Sequence, residues 1–160
     1  MLVLELFTIL GFGAIAFQDL KERMVSWVLF PMVAILLATM HLYHHMWDYF
    51  IFFSLTNILI VTGVLTILFL YIRLIRGKRF LNTSFGLGDI LFMYAFALGF
   101  PTVTFLVLFA GSIFFSLLGF VIITYFSRTN TVPLAGLMGL FLAAIMVLRL
   151  FTNQFSLYLI

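Results

Sequence analysis

Residues 102–126, TVTFLVLFAGSIFFSLLGFVIITYF, carry no charged side chain and no proline. A helix crosses the roughly 30 Å hydrocarbon core of a bilayer with about 20 mostly apolar residues, so this run is long enough to span a membrane by itself. Working outward, similar runs fill the chain. Val132 to Phe151 follows it; before it come Leu2 to Phe17, Met24 to about Met40, about Tyr49 to Ile72, and about Gly88 to Phe100, which stops at Pro101. The run from Gly88 is too short to cross at about 1.5 Å per residue, so it must tilt little, sit in thinned bilayer or line a recess. The first run lacks the basic start and small-residue cleavage site of a signal peptide, and it ends in the charged stretch Gln18 to Arg23. It reads as a retained helix.

Composition agrees. Apolar residues make up 66% of the chain and charged residues 8%, against about 25% charged in soluble domains. The expected fold is an all-α polytopic membrane bundle of about six transmembrane helices, with residues 1–160 forming one membrane-embedded domain. A net charge of +3, confined to a few turns, argues against a nucleic-acid partner. The absence of cysteine excludes disulfides, thiolate nucleophiles and cysteine-ligated zinc.

Lysine and arginine orient the bundle. With six alternating spans, Lys21, Arg23, Arg73, Arg76, Lys78, Arg79 and Arg128 share one face, and only Arg149 lies on the other. The positive-inside rule makes the basic face cytoplasmic and leaves both termini outside. The run Arg73 to Arg79 reads as a juxtamembrane loop touching anionic lipid.

Few residues can do chemistry in such a chain. Of its five acids, Glu5 and Asp48 fall toward the outer face, and Asp19, Glu22 and Asp89 toward the cytoplasmic one. A carboxylate beside hydrocarbon is costly and marks a functional candidate. Asp19 and Asp89 fit best, because each continues directly into an apolar run. They lie 70 positions apart, yet the topology sets both at one face and similar depth. In Gly86-Leu87-Gly88-Asp89, two glycines permit close approach and unusual backbone angles before a helix whose N-terminus favours an acid. Two carboxyls sharing a site do not both ionise readily, so one keeps a proton while the other acts as a base, the apparatus of an aspartic protease. The plainer alternative stays open: Asp89 as a first-turn residue, Asp19 paired with Lys21 or Arg23 at the interface.

These two stretches resemble the type IV prepilin peptidases and archaeal preflagellin peptidases, membrane aspartic proteases of the GxGD kind. Asp19-Leu20-Lys21-Glu22-Arg23-Met24-Val25-Ser26 looks like their motif of Asp, a basic residue two positions on, then an aliphatic residue before Pro or Ser. Phe85-Gly86-Leu87-Gly88-Asp89 matches GxGD, and Val132-Pro133-Leu134-Ala135-Gly136 is similar to the proline motif opening the last helix. GxGD alone is a common pattern; both aspartate motifs, in order, within a six-span chain carry the resemblance. It implies Asp19 and Asp89 as the catalytic pair, with Lys21, Gly86, Gly88 and Pro133 supporting the site and no cofactor. It implies cleavage of the basic leader from a prepilin-like or preflagellin-like precursor, in the cytoplasmic membrane of a prokaryote. Bifunctional members carry an N-terminal cytoplasmic region, often with zinc-binding cysteines, and also methylate the new N-terminus; neither feature occurs here, so methylation is not assigned. Leu91 stands where many members have lysine.

Other constellations stand beside these. His41, His44, His45 and Asp48 share a helical spacing that suits metal ligands, but beside Tyr43, Trp47 and Tyr49 they equally suit an interfacial aromatic belt; no metal is expected. Asn57, inside the third run, is expected to hydrogen-bond a neighbouring helix. Ser112 with Ser116, and Gly139 with Ala143, have the spacing of close helix contacts. A second functional reading is a small proton- or cation-coupled transporter with the two aspartates as a relay. Its weakness is that no acid falls near the midplane.

Overall fold

Each apolar run folds as a helix, and the breaks between them fall at glycine, proline and charge. The structure, a computed structural model, describes residues 1–75, 86–127, 133–152 and 157–158. Among these are six α-helices: α1 (Leu2–Glu22), α2 (Leu29–His44), α3 (Trp47–Ile75), α4 (Leu87–Ala97), α5 (Thr102–Ser127) and α6 (Leu134–Thr152). Four of them, α1, α3, α5 and α6, are long and apolar enough to cross a membrane. The chain is an all-α, multi-pass membrane protein.

Several boundaries differ from those read in the sequence. α1 runs past Phe17 to Glu22, because the Asp19-Leu20-Lys21-Glu22 segment completes its last turn; Arg23 ends it in a left-handed conformation (φ 57°), its N–H on the Asp19 carbonyl. α2 starts at Leu29, not Met24, since residues 23–28 form the connection, in which the Ser26 N–H donates to the Gln18 side chain. Pro31 then falls in the first turn of α2, where a missing N–H costs nothing. The helical spacing of the three histidines and Asp48 is broken: α2 stops at His44, His45 is extended, and Asp48 lies in the first turn of α3. Of the basic positions, Arg76, Lys78, Arg79 and Arg128 lie outside the described residues, as do Phe85 and Val132.

The helices pack as a ring in the order α6, α1, α2, α3, α5 and back to α6, with α1 against α6 the most extensive contact. The short α4 fills the middle, touching α2, α3 and α6. Its N-terminal residues Gly86 and Leu87 are exposed, whereas Phe92, Met93, Ala95, Phe96 and Ala97 are buried. At 11 residues, about 16 Å, α4 ends inside the protein, and its last carbonyls need partners there. Asn57 of α3 donates to the carbonyls of Ala97 (3.0 Å) and Phe100 (2.8 Å), and His41 Nδ1 lies 3.0 Å from that of Leu98. The interhelical role expected of Asn57 is thus the capping of a buried helix end. Gly139 sits at a close helix approach, against α1 and Phe92, while Ser112 and Ser116 are buried with their hydroxyls bonded within α5. Arg149, the basic residue at the opposite end, is tied to Glu5 of α1 (3.3 Å).

Candidate active site

The first turn of any α-helix leaves its N–H groups without intrahelical acceptors. At the start of α6 two of these are taken by acids from other helices. Ala135 N–H donates to Asp89 Oδ1 (2.8 Å) and Gly136 N–H to Asp19 Oδ2 (2.7 Å). Consecutive Cα atoms are about 3.8 Å apart, so two aspartates 70 positions apart are held side by side on adjacent peptide groups. They are close enough to interact electrostatically, and the Arg23 guanidinium acts on Asp19 from the end of α1. Both carboxyls are half-buried, at the end where α4 begins exposed.

Pro133 immediately precedes this turn. Having no N–H, it adds no further donor, and its carbonyl accepts from Leu137 (3.1 Å) to start the helix. The donors themselves, Ala135 and Gly136, are not evident from residue type, since backbone N–H groups carry no side-chain signature. The signal for them is a proline two residues ahead of a small pair at a helix start.

Three glycines are there for space. Gly86 has φ −75° and ψ 141°, an ordinary extended conformation, so the unusual backbone expected before α4 is not what it supplies. A Cβ at Gly86 would lie 2.9 Å from Asp89 Oδ2, and one at Gly88 3.2 Å from the Phe30 ring. At Gly136 a Cβ would lie 2.8 Å from Asp19 Cβ and 3.0 Å from its Oδ2. The Gly86 N–H also reaches Asp89 Oδ2 (3.3 Å), half of a capping box whose other half a glycine cannot make.

Other candidates lie elsewhere. Lys21 is exposed, with its Nζ over the Phe17 ring (5.2 Å), on a different side of α1 from Asp19. Glu22 and Asp48 are exposed, Asp48 at the far end of the bundle, and Leu91 packs against the core. His41, His44 and His45 also sit at the far end. Among the described residues no three His, Asp or Glu side chains converge to hold a metal ion.

No family model matches the chain, and no curated protein or solved structure matches it either. Fold and site together therefore define a class by geometry alone: a multi-pass helical membrane protein with two carboxyls paired at one end of the bundle.

Proposed function

We propose that this protein is an aspartic endopeptidase of the prepilin-peptidase kind. In this reading all six helices lie in the cytoplasmic membrane of a prokaryote, with both termini outside. It cuts the basic leader from prepilin-like or preflagellin-like precursors at the cytoplasmic membrane face. The observation that supports it is the pairing of Asp19 and Asp89 on the consecutive N–H groups of Ala135 and Gly136. Those bonds engage one oxygen of each carboxyl; the second oxygens, of which Asp89 Oδ2 also accepts from the Gly86 N–H at 3.3 Å, serve the proton chemistry. One carboxylate takes a proton from water, which attacks the scissile carbonyl carbon, while the protonated partner donates to the carbonyl oxygen. The tetrahedral intermediate then collapses as the leaving nitrogen takes up a proton, and the C–N bond breaks.

The placement of charge is consistent with a cytoplasmic site. Among the described residues, Lys21, Arg23 and Arg73 lie at the aspartate end, and Arg149, at the opposite end, is paired with Glu5. The relay reading has less support. Between the aspartates and the polar groups of the far end stand Phe12, Phe92, Phe96, Phe100, Met138 and Leu142, all buried and apolar. A proton or cation crossing between the two ends would have to pass this apolar layer.

Cleavage of a pilin-like precursor by the protein in proteoliposomes tests the proposal. Asp19→Asn and Asp89→Asn should each abolish cleavage, the double variant should be no worse than either, and Asp48→Asn should retain it. A correctly inserted Asp89→Asn protein that cuts at the normal rate rules the protease out. Proton or cation flux through the same vesicles, abolished by those substitutions, would favour the relay.

A further inference from the structure

The end of the bundle opposite the aspartates carries a second cluster of polar groups, independent of the first. Because the Leu98 carbonyl requires a donor from His41 Nδ1, the neutral His41 ring bears its lone pair on Nε2. That atom is buried and no group among the described residues bonds it; the same holds for Nε2 of His45, four residues on, and for the hydroxyl of Tyr158. His41 is 0% and Tyr158 6% exposed. The three rings are mutual neighbours, with centroids 5.4 Å (His41–His45), 6.2 Å (His41–Tyr158) and 6.4 Å (His45–Tyr158) apart. A single water accepting and donating at ordinary lengths joins atoms about 5 Å apart, and buried polar groups left by the protein are normally met this way.

We propose that this end of the protein is a buried water-binding site. Ordered water joins Nε2 of His41, Nε2 of His45 and the Tyr158 hydroxyl, tying the Leu157–Tyr158 segment to the C-terminal end of α4. The surroundings select a neutral ligand that both donates and accepts. The Arg149 guanidinium lies over the Tyr158 ring (5.5 Å), opposing a cation, and the nearby carboxylate, Glu5, is already paired with it. The walls are aromatic: His44 stacks on Tyr158 at 4.1 Å, and Phe50 and Phe53 flank His41. This water completes the capping that Asn57 and His41 begin, and so lets α4 end within the membrane layer.

The three histidines of the chain all lie here, so nitrogen spectra of isotope-labelled histidine in lipid nanodiscs report this site without background. His41 should appear as the Nδ1–H tautomer, and magnetisation should transfer from water to the Nε2 positions of His41 and His45. Tyr158→Phe keeps the ring on His44 but removes the hydroxyl; it should shift both Nε2 signals and lower the unfolding temperature. Absence of water transfer to His41 in the unaltered protein overturns the proposal, as do unchanged Nε2 signals in Tyr158→Phe. Histidine signals that move on addition of EDTA would mean a bound metal in place of water, and also overturn it.

Discussion

Gly136→Ala is the sharpest perturbation of the aspartate pair, because it changes one hydrogen to a methyl at the point of contact. The new carbon would stand 2.8 Å from Asp19 Cβ and 3.0 Å from Oδ2, where ordinary contact begins at 3.4 Å. The nearer neighbour cannot swing aside: Asp19 Cβ is fixed to α1, and α1 and α6 pack more extensively than any other helix pair in the bundle. Either Asp19 turns away from the Gly136 N–H or the two helices part by a few tenths of an ångström to about 1 Å. Misplacing a catalytic group by about 1 Å costs about a hundredfold in rate, and overpacking of this kind costs about 1–3 kcal/mol of stability. The expected outcome is single-turnover cleavage slowed about a hundredfold, with substrate binding little changed and the protein still inserted. Gly13→Ala is the matched control. Gly13 lies on α1 with open space around its missing Cβ, so the same substitution should leave the rate unaltered and favour the helix by up to about 1 kcal/mol. Gly136→Ala cutting at the rate of Gly13→Ala would refute the idea that the start of α6 positions Asp19.

Further outcomes concern the rest of the bundle. Asn57→Leu strips partners from the buried carbonyls of Ala97 and Phe100, and should destabilise the protein by about 2–4 kcal/mol, read as a loss of thermal stability in detergent; no loss would mean α4 needs no cap. Glu5→Gln should cost roughly 2 kcal/mol, between the values for exposed and buried pairs, and adding Arg149→Met should recover part of it; if the double variant is the least stable, the pair is not the source. Single cysteines at Ser26 and Met46, both exposed in a cysteine-free chain, should label from opposite membrane sides with an impermeant reagent, Met46 from outside. Labelling of both from one side removes the six-span topology and with it the cytoplasmic placement of the aspartates.

The sequence alone determined that the chain is helical and membrane-embedded, since apolar runs such as 102–126 leave no other way to satisfy their backbone in lipid. It also singled out Asp19 and Asp89, because acids beside hydrocarbon are few and costly, and it marked Asn57 as an interhelical donor. It could not set the ends of α1 and α2, which depend on Arg23 adopting a left-handed turn and on Gln18 binding the Ser26 N–H. Nor could it show that the two aspartates meet. Their meeting is decided by how α6 is set between α1 and α4, where two N–H groups left over by helix geometry serve as donors to both acids. The same holds at the other end: α4 is short in sequence, but only packing brings His41 and Asn57 to its last carbonyls. Local periodicity follows from residue order, whereas a backbone donor has no side chain to announce it, and its partner is chosen by the packing of helices far apart in the chain.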